Sequence, residues 1–308
     1  MYSFVDMGRA VASTLAPARA SWSAYVELLK PITWFPPMWA FGCGLVASGQ
    51  PLGQRWPWVL AGIALAGPLI CGTSQVVNDW FDRHVDALNE PQRPIPSGRV
   101  PGRNALWFAI AWSLVSLAVA VALGPWIGIA GFVGLVLAWA YSAPPVRLKQ
   151  NGWWGNAVVG LCYEGLPWFT AATVAIGALP SHHTLWLALL YSAGAHGIMT
   201  LNDFKAIEGD RQMGIRSLPA VLGRARAARL ACVVMAAPQV VVVALLFAWG
   251  RPVEASIVAA VLAAQLACMA RLLTDPKRFA PWYNATGVSL YVLGMLASAF
   301  GVRALVAG

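Results

Sequence analysis

Residues 57–86 read PWVLAGIALAGPLICGTSQVVNDWFDRHVD, an apolar run that passes without a break into an acidic segment. The apolar part, 57–78, is long enough to cross a membrane, because a hydrocarbon core of about 30 Å needs about 20 apolar residues in a helix. In the acidic part Asn78, Asp82 and Asp86 recur at every fourth residue, so on a helix they share one face. The stretch predicts a membrane helix that ends in three oxygen-bearing side chains.

The composition places the rest of the chain in a membrane as well. Of its 308 residues 59% are hydrophobic and only 11% are charged, whereas soluble domains carry roughly 25% charged residues. We predict an all-α, polytopic membrane bundle. Nine apolar spans are predicted, at about 32–48, 57–78, 105–123, 126–142, 153–178, 184–201, 228–248, 254–272 and 284–303. Pro36 and Pro37 interrupt the first span, where we expect a kink.

The Lys and Arg residues predict the orientation of the bundle. With nine spans, eighteen of them fall on the face that carries the N-terminus and only three on the other face. Because cytoplasmic loops are enriched in Lys and Arg, this split predicts a cytoplasmic N-terminus and an external C-terminus. It also accounts for the net charge of +9 without a nucleic-acid partner. We divide the chain into a cytoplasmic N-terminal arm, residues 1–31, partly an amphipathic surface helix, and a membrane domain, residues 32–308.

Two predicted cytoplasmic loops, at about 79–104 and 202–227, hold seven of the twelve acidic residues. Each follows an apolar helix, begins with Asn-Asp and then turns basic, which indicates one site built from two halves. In the second loop Asp203 and Asp210 lie seven residues apart, hence on one face of a helix if the helix persists. Gly209 is the position at which we expect such a helix to break.

The acidic spacing favours a bound cation. Carboxylates four residues apart repel one another on an exposed helix, whereas Mg²⁺ is held by one or two carboxylates together with phosphate oxygens of a substrate. Basic side chains near the acids supply donors for such a phosphate, namely Arg83, Arg93, Arg147, Lys149, Lys205 and Arg211. A solvated salt-bridge network is the alternative. His84 and His196 are either structural or available to a tetrapyrrole magnesium.

These motifs resemble those of the UbiA-type intramembrane prenyltransferases, nine-helix proteins with an N-x-x-x-D-x-x-x-D motif after the second helix and a second acidic motif after the sixth. Residues 78–86 match the first motif in full. The second departs from the D-x-x-x-D pattern of many members, because Ala206 stands four residues before Asp210. Asp203 is the substitute that the resemblance suggests.

Further segments are similar to the branch of this family that contains the chlorophyll and bacteriochlorophyll synthases. They are residues 30–39, 89–99 and 163–168 and the second acidic segment. Segments 195–203 and 281–284 favour the bacteriochlorophyll form. The resemblance implies an Mg²⁺-dependent enzyme of the bacterial inner (intracytoplasmic) membrane, with cytoplasmic active-site loops. It implies transfer of a geranylgeranyl or phytyl group from its diphosphate to the propionate carboxylate of bacteriochlorophyllide.

Carried onto this chain, the resemblance assigns two sets of site residues. The catalytic and Mg²⁺-binding set is Asn78, Asp82, Asp86, Asp203 and Asp210. The diphosphate-binding set is Arg83, Tyr141, Arg147, Lys149, Lys205 and Arg211.

Several alternatives stay open at this point. Within the family they are a chlorophyll synthase acting on chlorophyllide and a prenyltransferase for a quinone precursor or haem. A membrane transporter is disfavoured because the acids lie at helix ends rather than near the membrane midplane, where transporters place them. The lipid bilayer is an expected partner of the chain. A second copy of the chain and other pigment-biosynthesis enzymes are further partners that the sequence leaves open.

Overall fold

The computed structural model describes residues 21–51 and 53–306, and most of them are helical. The helices are α1 (Trp22–Leu28), α2 (Phe35–Ala47), α3 (Gly53–Asn89), α4 (Asn104–Leu123), α5 (Pro125–Ser142), α6 (Gly152–Ile176), α7 (His182–Lys205), α8 (Ile207–Gln212), α9 (Leu218–Leu222), α10 (Arg224–Ala248), α11 (Pro252–Thr274) and α12 (Pro276–Val306). The described ranges contain no strand, only one isolated bridge between Asn151 and Arg216. The predicted all-α fold is confirmed.

Eight of these helices are long and apolar enough to cross a membrane, namely α3 to α7 and α10 to α12. They correspond to eight of the nine predicted spans, and they make the chain an integral membrane protein. The remaining span, 32–48, contains α2, an apolar helix of 13 residues that is shorter than a full crossing. The count of nine crossings and the orientation therefore stay predictions.

The expected kink at Pro36 and Pro37 is wrong, because both residues lie in the first turn of α2. The first turn has N–H groups without helical partners, so a proline there removes no hydrogen bond. The irregular crossing helix is instead α3, which winds as a π-helix over Leu65–Cys71 and contains Pro68 in that segment. Helix α6 has a second π-helical segment at Leu161–Gly165.

Helix α3 does not end where its apolar run ends. The sequence predicted a loop over 79–104, but α3 continues to Asn89 and only residues 90–103 connect it to α4. Val76 and Val77, just before Asn78, lie in one buried cluster with Leu28 of α1 and Ala105 of α4, and Trp80 and Phe81, just after it, pack against the same cluster. The first acidic motif therefore lies on a regular helix that extends from the apolar bundle.

The bundle packs closely where small residues allow the helices to approach, as is common between membrane helices. A Cβ added to Gly44 of α2 would lie 2.2 Å from the carbonyl oxygen of Trp168 in α6. Of the predicted N-terminal arm, residues 1–20 lie outside the described residues. The part that follows forms α1, with Ala24 and Leu28 buried and Trp22 exposed.

Candidate active site

Asp82 of the first motif is held by two cations from the segment between α5 and α6. Its carboxylate accepts hydrogen bonds from Lys149 Nζ at 2.5 Å and from Arg147 Nη2 at 3.2 Å. Burial lowers the pKa of the Lys149 ammonium, and the neighbouring Asp82 partly offsets this. Two predicted diphosphate-binding residues thus lie directly against a predicted metal ligand.

A second ion-pair cluster surrounds the same helix. Arg93 donates to Asp86 at 2.9 Å and to Asp79 at 3.3 Å, and it also pairs with Glu90. Lys30 donates to Asp79 at 2.6 Å. The sequence placed Asp86 in the site and Arg93 among the basic side chains near the acids, but it assigned no role to Lys30 or Asp79. For Lys30 the signal was the resemblance of segment 30–39.

Lys30 and Arg147 share an unusual backbone conformation. Their φ angles are 46° and 40°, and among the described residues they are the non-glycine residues with positive φ. This left-handed region is unfavourable for residues with a Cβ, by roughly 1–2 kcal/mol. Each residue directly precedes a single 3-10 turn. The side chain of Lys30 forms an ion pair with Asp79 of α3, and that of Arg147 forms one with Asp82.

The second acidic segment is not one continuous helix. Helix α7 ends at Lys205, Ala206 leaves the helical conformation, and α8 begins at Ile207. The prediction that Gly209 breaks the helix is therefore wrong, because Gly209 lies inside α8. The break at Ala206 means that Asp203 and Asp210 belong to different helices.

Each of these two carboxylates has a neutral hydrogen-bond donor. Asn156 of α6 donates to Asp203 at 3.3 Å, and Ser217 donates to Asp210 at 2.5 Å. Burial raises the pKa of the Asp210 carboxyl, and the Ser217 hydroxyl opposes that change. Neither Asn156 nor Ser217 was predicted, since nothing in the local sequence marks them.

A short backbone bridge joins the two halves of the site. Arg216 N–H donates to the carbonyl of Gln150, and Gly152 N–H donates to the carbonyl of Arg216, both at 2.9 Å. The segment between α5 and α6, which pairs with Asp82, is thereby hydrogen-bonded to the segment before α9, whose Ser217 donates to Asp210. This contact supports the hypothesis of one site built from two halves.

Gly152→Ala is expected to loosen this bridge and lower both turnover and the thermal unfolding midpoint. An added Cβ would lie 2.6 Å from Leu218 N and 2.9 Å from Ser217 Cα. Such overpacking costs about 1–3 kcal/mol of folding stability. The measurement is thermal unfolding in detergent together with turnover. Gly42→Ala is the control, since nothing lies within 4 Å of its added Cβ; equal midpoints in the two variants would contradict the expectation.

A cavity of about 720 Å³ opens beside the acidic motifs and extends among the membrane helices. Its polar end is lined by Asn78, Tyr141, Asn202 and Lys205, so both motifs contribute to it. The remaining lining is mostly apolar and comes from α2, α3, α5, α6, α7 and α12.

Some predicted residues lie apart from this arrangement. The Arg83 guanidinium covers the ring of Trp80 at 4.0 Å and donates to its carbonyl, and Arg211 donates to the carbonyl of Ala220. His84 is exposed.

His196, for which the sequence left two roles open, is buried. Its Nε2 lies 3.1 Å from the carbonyl oxygen of Trp153, and its ring packs against the Trp153 ring. It does not line the cavity. This favours the structural role.

The donor set fits Mg²⁺ by chemical type. Carboxylate and amide oxygens are the ligands that this ion takes in proteins, and the two acidic motifs supply both. Within the described ranges no three acidic, His or Cys side chains already surround one point. The carboxylates of the first motif instead form ion pairs with Lys149, Arg147 and Arg93, which are side chains of the kind that donate to phosphate oxygens.

Comparison with known proteins agrees with this arrangement. The family model described as "UbiA prenyltransferase family" matches residues 33–303. The chain is 58% identical to the bacteriochlorophyll synthase 33 kDa chain of Cereibacter sphaeroides, over 92% of this chain and 93% of that protein. It is 35% identical to the chloroplastic chlorophyll synthase of Oryza sativa, over 90% of this chain and 76% of that protein.

The fold is also that of a solved UbiA homologue from Archaeoglobus fulgidus bound to DMAPP and Mg²⁺. The TM-score is 0.69 at 18% identity, over 88% of this chain and 98% of that one. At this identity the likeness concerns the fold alone, and the family model and the close relatives carry the assignment. The chain therefore belongs to the UbiA prenyltransferase family of integral membrane enzymes.

Proposed function

We propose that this chain transfers a geranylgeranyl or phytyl group from its diphosphate to the propionate carboxylate of bacteriochlorophyllide. The observation that carries the proposal is the cavity, which begins at Asn78 and Lys205 beside the acidic motifs and continues into an apolar interior. Such a cavity suits substrates that carry an anionic group at one end and a large apolar part behind it. The 58% identity to a bacteriochlorophyll synthase, against 35% to a chlorophyll synthase, supports bacteriochlorophyllide over chlorophyllide as the acceptor.

The reaction needs charge stabilisation more than a protein nucleophile. The bond between the allylic carbon and the diphosphate oxygen breaks with its electron pair on the diphosphate, and a propionate oxygen forms the new ester bond. The propionate is already ionised near neutral pH, with a pKa of about 4.3 by analogy with Glu, so no general base is required. Arg147, Lys149 and Lys205 bind the charge that develops on the diphosphate.

Mg²⁺, when bound, supplies further positive charge to the diphosphate. Its proposed ligands are Asn78, Asp82, Asp86, Asp203 and Asp210. Tyr141 is a hydrogen-bond donor at the polar end of the cavity, and Arg83 and Arg211 remain outer candidates for diphosphate binding. The apolar lining of the cavity excludes water from the reacting allylic carbon.

The membrane and the orientation belong to the same proposal. We place the chain in the bacterial inner membrane with the motif loops and the arm, residues 1–31, in the cytoplasm and the C-terminus outside. The asymmetry of eighteen against three Lys and Arg supports this orientation. Residues 32–308 form the prenyltransferase domain.

A direct assay tests the acceptor. Purified protein with geranylgeranyl diphosphate is offered bacteriochlorophyllide, chlorophyllide or 4-hydroxybenzoate, and the products are identified by mass spectrometry. We expect the bacteriochlorophyllide ester to form with the largest kcat/KM. Prenylated 4-hydroxybenzoate as the main product would contradict the proposal. A larger kcat/KM for chlorophyllide would indicate a chlorophyll synthase instead.

Removal of divalent metal is expected to stop turnover. With excess chelator the ester should fall below detection, and added Mg²⁺ should restore it, because the acids and the diphosphate repel one another without a bridging cation. The thermal unfolding midpoint, measured in the same samples, serves as the control and should change little. Full turnover in chelator would contradict the magnesium assignment.

A further inference from the structure

Glu164 is a buried acid that the proposed reaction does not use. It lies in the π-helical segment Leu161–Gly165 of α6, it is only 6% exposed, and it lines the cavity. Its Oε2 has no hydrogen-bond partner. Among the described residues Glu164 forms no ion pair with a Lys or Arg side chain.

The surroundings of Glu164 favour the neutral form of its carboxyl group. The segment Leu161–Gly165 packs against α2 and α7 inside the bundle, and Glu164 is buried there. An ionised carboxylate without a cation is heavily penalised in such an environment. The neutral acid is the form that persists there, and it keeps one O–H donor.

The depth of Glu164 separates it from the ionic part of the site. Asn156 of the same helix contacts Asp203, and Glu164 lies eight residues further along α6. At 1.5 Å per residue the two are about 12 Å apart along the axis. Glu164 therefore lies further into the bundle than Asp203, where the cavity lining is mostly apolar.

Two other polar groups of the cavity wall, the hydroxyls of Tyr163 and Ser289, have partners within the protein. The Tyr163 hydroxyl accepts a hydrogen bond from Gln75 Nε2 at 3.2 Å and lies 3.7 Å from Cys71 Sγ. Ser289 donates to the carbonyl of Ala285 in its own helix. Glu164 differs from them, since a buried donor without a partner is costly unless a ligand supplies the acceptor. Its placement on a π-helical segment is also typical of functional positions.

We propose that the neutral Glu164 carboxyl donates a hydrogen bond to a carbonyl oxygen on the ring system of the acceptor, and so helps to select that acceptor. This inference rests on the proposed function. Of the two substrates, the isoprenoid carries no acceptor atom away from its diphosphate, whereas the macrocycle carries carbonyl groups on its periphery. With the propionate at the polar end, the macrocycle is the substrate that presents such a group to Glu164.

The test combines two variants with a spectroscopic readout. Glu164→Leu removes the donor, and Glu164→Gln keeps an N–H donor in nearly the same shape. We expect Glu164→Leu to raise the KM for bacteriochlorophyllide about tenfold, with the KM for geranylgeranyl diphosphate unchanged. Glu164→Gln should stay within about threefold of the native value. Ser116→Ala is the control and should change neither KM, because it removes a buried hydroxyl of α4 that bonds to the carbonyl of Trp112 and does not line the cavity.

Resonance Raman spectra of bound bacteriochlorophyllide report the hydrogen bond itself. In the native protein one ring carbonyl band should lie at lower frequency than in the free pigment and should respond to D₂O; in Glu164→Leu it should return to the free position. A native spectrum without such a band overturns the inference, even if the Leu variant does not fold. Native protein that makes no bacteriochlorophyllide ester would instead overturn the proposed function.

Discussion

Asp82→Asn is expected to lower the rate of prenyl transfer on the order of 10³-fold while the protein keeps its fold. Asparagine has the same shape but lacks the negative charge that holds Lys149 at 2.5 Å and Arg147 at 3.2 Å. It is also a weaker metal ligand. In the native protein the Asp82 carboxylate partly offsets the lowering of the Lys149 pKa by burial. Without that carboxylate the pKa of Lys149 falls further, so Lys149 loses its positive charge at a lower pH. The defect should therefore deepen as the pH rises.

The measurements are turnover of geranylgeranyl diphosphate with bacteriochlorophyllide and the thermal unfolding midpoint in detergent. Asp82→Ala should abolish prenyl transfer with the fold retained. Glu27→Gln is a matched control, because Glu27 also binds an arginine, Arg99, at 2.6 and 2.9 Å, but on an exposed surface outside the motifs. The control should keep native activity. Native turnover in Asp82→Ala would remove Asp82 from the site.

Asp203→Asn is expected to lower turnover on the order of 10²-fold. Asp203 is the residue that we propose in place of the acid missing at position 206, and its carboxylate accepts a hydrogen bond from Asn156 at 3.3 Å. Since Asn156 is neutral, a metal would not have to displace a cation from this carboxylate. The amide in the variant lacks the negative charge of the carboxylate, so both kcat and the affinity for Mg²⁺ should fall.

The control for this variant is Glu208→Gln in the same acidic segment. Glu208 is exposed and pairs with Lys277 and Arg224, and surface pairs contribute little to stability. We expect turnover within about twofold of the native value, since exposed pairs of this kind are nearly neutral. If Asp203→Asn and Glu208→Gln were equally active, Asp203 would have no part in metal binding and Asp210 would be the acid that remains.

Hydropathy predicted the crossing helices well because an uncharged apolar run of about 20 residues matches the thickness of a bilayer and is rare in soluble domains. It placed the end of α3 too early, at residue 78, since composition does not distinguish a polar helix from a loop. The spacing of Asn78, Asp82 and Asp86 carried the missing information, and it predicted one helical face there. The break at Ala206 left no comparable sign in the sequence, because alanine is a strong helix former.

The parts of the site that escaped prediction are tertiary contacts. Lys30 reaches Asp79 across 49 residues of sequence, and Asn156 reaches Asp203 across 47. Such pairs depend on how helices approach one another, which a single sequence does not encode in any local pattern. The π-helical turn that presents Glu164 to the cavity is likewise set by packing between helices rather than by propensity.

The left-handed backbone at Lys30 and Arg147 bears on how this enzyme is engineered. A programme that selects substitutions for thermal stability alone would favour glycine at both positions, because glycine relieves an unfavourable φ. It would remove in the same step the two cations that pair with Asp79 and Asp82. A stabilised variant of this enzyme should therefore be sought elsewhere in the bundle, with these two positions held fixed.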